Sequence, residues 1–110
     1  MAFTITNGST NVSAATSFNY SVDTWYHLVG TFDNGSHKLY VNTSEEYSGT
    51  TTFTEVRTNN TKFTLASIGS NVLNYTCNCE ISSIRLYSSK ALTPQEVTQN
   101  YNALKGRFGL

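Results

Sequence analysis

Ile81-Ser-Ser-Ile-Arg-Leu-Tyr87, followed by Ala91-Leu-Thr-Pro-Gln-Glu-Val97 and Asn100-Tyr-Asn-Ala-Leu-Lys-Gly-Arg-Phe108, is the stretch that decides the fold. The first part reads as a strand from Glu80 to Ser88 in which Ile81, Ile84 and Leu86 favour the interior. The change of phase between Ile81 and Ile84 predicts a bulge or a strand buried on both faces. The second part reads as a helix. Thr93 is its N-cap, Pro94 its first residue and Glu96 its third, which is a capping box on a pre-set first turn. Val97, Tyr101 and Leu104 recur at i, i+4 and i+7 on one face. Lys105-Gly106 is expected to end the helix, with Gly106 at the C′ position.

Upstream, the pattern is one of strands and turns. Phe3 and Ile5 alternate with Thr4 and Thr6, and Asn7-Gly8 turns the chain. Val12 to Thr16 alternates weakly. Phe18, Tyr20 and Val22 alternate with Asn19 and Ser21, which predicts a half-buried strand before a turn at Asp23-Thr24. Trp25 to Phe32 is the strongest strand signal. Asp33-Asn34-Gly35-Ser36 is a turn, and His37 to Val41 is its antiparallel return. Asn42 to Ser48 reads as a polar connection, and Thr50 to Val56 as a weak strand carrying Phe53 and Val56. Thr58 to Thr61 is a turn. Phe63, Leu65 and Ile68 form a strand, and Ser70 to Asn78 is a loop carrying Leu73 and Tyr75. No repeat and no linker divides the chain, so residues 1–110 are read as a single domain.

The bulk composition fits this picture. Charged residues make up only 13% of the 110, about half the usual share, and the formal net charge is zero. Asn, Ser and Thr supply the polarity instead. Thr suits exposed strand faces, while Asn and Ser suit turns. Nothing basic points to nucleic acid, and no apolar run is long enough to span a membrane. The start, Met1-Ala-Phe-Thr-Ile-Thr6, has neither a basic nor an apolar leader region, so no secretory signal is expected. A fragment of a longer surface protein stays open as a third reading, with the opening Met1 as a mild argument against it. Asn-x-Ser/Thr triplets at Asn7, Asn11, Asn19, Asn34, Asn42, Asn59 and Asn74 follow from this composition, and glycosylation is not expected.

Several separated motifs resemble one family. They are Trp25-Tyr-His27, Leu39-Tyr-Val-Asn42, Ile68-Gly-Ser70, Ile81 to Tyr87 and Ala91 to Val97. Their order and spacing, over roughly residues 20–104, resemble the laminin-G/pentraxin branch of the concanavalin A-like lectin/glucanase jelly rolls. The resemblance implies an all-β fold, a compact antiparallel β-sandwich with one short C-terminal helix. The chain also departs from the family. Thr43 stands where the family usually has Gly, and Cys77-Asn78-Cys79 where it usually has an aromatic-Asn-Gly. The part before Trp25 is compressed into 24 residues. Calcium-binding members draw ligands partly from that part, and Asp33, Glu45 and Glu46 make no ligand set by spacing. No metal site and no cofactor are therefore carried over. The tail from Gln99 to Leu110 is similar in style to such domains in the virion structural proteins of tailed phages.

The chemistry-bearing residues suggest binding rather than catalysis. A glucanase of this fold needs two cooperating carboxylates, and Glu45-Glu46, being adjacent, would face opposite ways on a strand. His27 and His37 lack a nucleophile or metal-ligand partner at useful spacing. No catalytic residue is assigned, and the chain is read as not an enzyme. Cys77 and Cys79 are expected as two reduced, partly buried thiols, with a bridge or metal shared between copies as the sharper alternative. Among seven Tyr, six Phe and one Trp, Tyr47 and Tyr75 fall in predicted loops beside Asn and Ser, so they are the candidates for stacking on a sugar or a protein. Trp25 is assigned to the rim of the core.

These readings converge on a virion structural protein, specifically a capsid decoration (cement) protein on the particle surface, made in the host cytoplasm. Its partners would be the major capsid protein or other virion proteins, and further copies of itself as a homo-oligomer. The alternative is a carbohydrate-binding module or tail-fibre adhesin that recognises host glycans.

Overall fold

The computed structural model describes residues 1–56 and 77–110. Its contacts group into two units, Met1–Arg57 with Ser89–Leu110, and Thr58–Ser88. The first unit holds all the regular structure among the described residues. It comprises β1 (Ala2–Thr6), β2 (Asn11–Ala15), β3 (Leu28–Asp33), β4 (Ser36–Val41), β5 (Ser44–Thr50) and α1 (Pro94–Phe108). β1 and β2 form a two-stranded antiparallel sheet. β3, β4 and β5 form a three-stranded one with β4 in the centre. The mostly-β architecture with one C-terminal helix is consistent with the expected sandwich.

Turn chemistry explains each hairpin. Between β3 and β4 the two-residue loop Asn34-Gly35 has φ of 44° and 86°. Both are left-handed values, which match the right-handed twist of the flanking strands and which Asn and Gly tolerate best. Between β1 and β2, Asn7 Oδ1 accepts from the backbone N–H groups of Ser9 and Thr10 at 3.0 and 2.8 Å, and Gly8 takes φ 92°. Between β4 and β5 the turn is Asn42-Thr43, with Asn42 at φ 57°.

The polar stretch Asn42 to Ser48, expected as a connection, is therefore mostly strand β5. Among the described residues β5 pairs only with β4, and its Ser- and Glu-rich sequence is held in the strand by that backbone pairing. A register shift between Leu39 and Tyr40 interrupts that pairing. The strand expected over Thr50 to Val56 does not form beyond Thr50. Phe53 is nevertheless buried and meets Phe32 with ring centroids 5.5 Å apart, whereas Val56 is exposed.

The first sheet packs onto the second through β2, which lies against β4 and β5. Phe3 of β1 sits directly over Gly30 of β3, and a Cβ at Gly30 would lie 2.4 Å from the Phe3 ring. Gly30 pairs with Leu39 across the ladder, and Leu39, Tyr40 and Val41 are almost wholly buried together with Ala14. Burying a side chain of this size contributes about 2 kcal/mol.

The helix follows its sequence signals at one end. Glu96 N–H donates to Thr93 Oγ1 at 3.3 Å, and Thr93 N–H donates to Glu96 Oε2 at 2.9 Å. Val97 is fully buried, and Tyr101, Leu104 and Phe108 continue its face half-buried. The other end differs from expectation. Gly106 lies inside the helix, and Gly109, at φ 68°, is the left-handed cap. Phe108 explains the extension. Its ring meets Trp25 at 5.2 Å, so burial of one more turn favours continuing past Gly106.

Two other expectations fail. Phe18 to Val22 is not a strand, and Val22 is almost fully exposed. Its rings form an aromatic cluster instead of joining a ladder. Glu80 to Ser88 is likewise not a strand. Every residue from 77 to 88 is exposed, including Ile81, Ile84 and Leu86 at 50%, 52% and 71%. A strand requires a neighbour to complete its ladder, and no strand pairing involves this segment among the described residues. The expected turn at 58–61, the strand Phe63 to Ile68 and most of the loop carrying Leu73 and Tyr75 lie outside the described residues.

Candidate binding surface

The motif Trp25-Tyr-His27 ends before β3 starts, and its work is structural. His27 N–H donates to Asn42 Oδ1 at 3.1 Å, and Asn42 N–H donates to the His27 carbonyl at 2.7 Å. His27 Nδ1 also lies 3.3 Å from the Asn42 carbonyl oxygen. This exchange continues the β3–β4 pairing one step past Leu28↔Val41 and ties the end of the Leu39-Tyr-Val-Asn42 motif to the start of the other. On the helix side, His27 faces Tyr101 at 6.1 Å and Trp25 faces Phe108. Both motif residues thus dock α1, and the expected place of Trp25 at the rim of the core is where it lies.

Tyr47, a candidate from sequence, stands in β5 and not in a loop. It is half-buried, and its ring faces that of His37 at 5.5 Å. Gly49 passes close by both, so the three residues form one tight patch on the sheet. His37 is buried, and its Nδ1 has no hydrogen-bond partner among the described residues. Tyr75, the second candidate, lies outside the described residues.

The sequence reading missed an aromatic triad. Phe18, Tyr20 and Tyr26 meet edge to face in all three pairings, with centroids 4.9, 5.6 and 5.1 Å apart. Such pairs each add about 1 kcal/mol beyond their buried area. Ser21 N–H donates to Tyr26 Oη at 2.9 Å, which holds that ring in place. Burial, with a smaller push from the nearby Glu46 carboxylate, raises the Tyr20 phenol above its ordinary value. The available signal was the run of aromatics on both sides of Asp23, whose φ of 55° folds the segment back on itself.

The carboxylates divide their tasks as adjacent strand residues do. Glu45 accepts from Lys38 Nζ at 2.7 Å and from Tyr40 Oη at 3.3 Å. The Lys38 ammonium holds the Glu45 carboxyl below the usual carboxylate range. Glu46 lies on the Tyr20 side instead. The two carboxylates are not aimed at a common point. Among the described residues no cluster of three or more His, Cys, Asp or Glu could hold a metal ion, and no helix is long and apolar enough to cross a membrane. Cys77 and Cys79 are free and exposed, so the expected partial burial does not hold. Rings, amides and backbone groups at such a surface can stack and hydrogen-bond.

Comparison with known proteins bears on the fold. A family model described as Laminin_G_3, concanavalin A-like lectin/glucanases superfamily, matches residues 1–98. No curated protein matches the chain. A solved structure, an S-layer domain-containing protein from Clostridium thermocellum ATCC 27405, is similar in fold with a TM-score of 0.53 at 17% identity. The similarity covers 84% of this chain and 45% of that one, so this chain spans under half the length of that neighbour.

Proposed function

The chain belongs to the concanavalin A-like lectin/glucanases superfamily, and from that premise we propose that it is a non-enzymatic structural domain of a surface assembly. The finer form of the proposal is a capsid decoration protein of a tailed-phage particle. It would be made in the host cytoplasm and bound on the virion surface to the major capsid protein and to further copies of itself. The observation that carries the reading is the exposure of Ile81, Ile84 and Leu86 along one segment. Large apolar side chains left open in a row mark contact surfaces, and a formal net charge of zero suits a protein that lives against others. Weak contacts suffice where many copies bind a repeating lattice, because avidity multiplies them. The S-layer description belongs to the structural neighbour; a surface setting is taken from it only as part of this proposal.

Quantitative mass spectrometry of purified particles tests the reading. Copies in a simple stoichiometric ratio to the major capsid protein are expected. A handful per particle, or none, overturns the decoration role.

A second reading, a glycan-binding module, has its own observation in the half-buried rings of Phe18, Tyr20, Tyr26 and Tyr47. Its test is a glycan screen with Tyr26→Ala and Tyr47→Ala as controls. Binding that is lost in either variant supports it, and shell binding that free sugar does not compete away counts against it.

A further inference from the structure

We propose that Asn7-Gly8, in the turn between β1 and β2, is a self-modification site. The Gly8 backbone nitrogen attacks the Asn7 side-chain amide, which is lost as ammonia and leaves aspartate and isoaspartate. Three features of the turn lead there. Asn7 Oδ1 accepts from the backbone N–H groups of Ser9 and Thr10 at 3.0 and 2.8 Å. A side chain that reaches two and three residues ahead folds over the intervening peptide, which brings its Cγ beside the Gly8 nitrogen. The same two donors sit where negative charge develops when a nucleophile adds to that carbonyl, as in an oxyanion hole. Gly8 is exposed and has no Cβ to hinder the approach, and its N–H donates to Thr6 Oγ1 at 2.9 Å, which orients the peptide.

The chain carries its own comparison. Asn34-Gly35 is the same dipeptide in the β3–β4 turn, and Asn34 is exposed. Gly35, however, is buried against Thr51. Thr51 N–H donates to the Gly35 carbonyl at 2.8 Å, and the Thr51 carbonyl oxygen lies 2.6 Å from a would-be Cβ. That clamp keeps the Gly35 peptide from turning onto the Asn34 side chain. At Asn7 the step balances with water alone. Hydroxide takes the Gly8 amide proton, the nitrogen bonds to Asn7 Cγ, and the C–N bond of the side-chain amide breaks to release ammonia. The succinimide ring then takes up one water. Opening at one carbonyl gives aspartate; opening at the other gives isoaspartate, with one more atom in the main chain. Nothing is oxidised. The product adds one negative charge to a chain of formal net charge zero, and the isoaspartate form lengthens the turn that closes the Thr6↔Asn11 pair.

The test is incubation of the full folded chain at mildly alkaline pH, followed by peptide mapping with electron-transfer fragmentation, which separates aspartate from isoaspartate. A parallel sample is held at the same pH in concentrated urea. Asn7 is expected to convert in the folded chain at least about tenfold faster than Asn34, a modest share of what oxyanion donors supply. It should also react faster folded than in urea, where the two sites should react at similar rates. Asn34 keeping pace with Asn7 in the folded chain, or Asn7 reacting no faster folded than unfolded, overturns the proposal.

Discussion

At the scale of single residues, two glycines mark where another part of the chain comes close to the backbone. Gly30 exists because Phe3 lies where its Cβ would be. Gly30→Ala should therefore lower stability by about 1–3 kcal/mol, as overpacking does. The shorter side chain in Phe3→Leu should recover part of that loss in the double variant. Urea midpoints of the parent, both single variants and the double variant measure the coupling. Gly35 is constrained twice, by φ 86° and by the Thr51 carbonyl oxygen at 2.6 Å from a would-be Cβ. Gly35→Ala is expected to cost at least about 1 kcal/mol in the same assay, because left-handed backbone and a backbone clash add. The Asn34-Gly35 turn was legible from its dipeptide alone. Gly30 was not, since its neighbour lies 27 residues away in sequence (30 − 3) and nothing local records it.

At the scale of elements, α1 carries the most explicit local code. Thr93→Ala should destabilise the chain by about 1 kcal/mol, seen as a lower urea midpoint. Its capping partner supplies a pH dependence. Lys90, first, and then the Thr93 backbone N–H hold the Glu96 carboxyl below the usual carboxylate range. The folded value is thus lower than the unfolded one. The resulting stability is present above the ordinary Glu value and is lost as pH falls through the lowered one. Glu96→Gln should be less stable than the parent at neutral pH, and the gap should close in acid. A gap that stays constant with pH would show that the charge contributes nothing. The elements read less well elsewhere. β5 was hidden by polar composition, because among the described residues it is held by backbone pairing with β4. Phe18 to Val22 had the right alternation for a strand, but its rings pack better on Tyr26 than in a ladder.

At the scale of the whole molecule, the proposed role depends on what meets the segment 77–88. Ile84→Ser and Leu86→Ser remove exposed apolar surface, so they should leave the unfolding free energy, read from urea midpoints, within about 0.5 kcal/mol of the parent. The same variants should weaken binding to purified shells, measured by co-sedimentation. Unchanged sedimentation would separate this segment from the contact surface. Copies of the chain should also associate, and light scattering after size exclusion would contradict that if it returned a single monomer mass at high concentration.

The sequence by itself determined what short-range physics determines. The Asn34-Gly35 hairpin, the Thr93-Pro94-Glu96 helix start, the apolar face from Val97 to Leu104 and the mostly-β class all rest on interactions between residues a few positions apart. Sequence also marked Trp25, His27 and Asn42 as motif residues without showing what they touch. Tertiary structure decided the rest. It set the packing of Phe3 on Gly30, the docking of Trp25 and His27 on α1, the extension of the helix to Phe108, the aromatic triad and the exposure of Ile81, Ile84 and Leu86. Those outcomes turn on which distant surface reaches a side chain first, and burial free energy depends on that surface and not on neighbours along the chain.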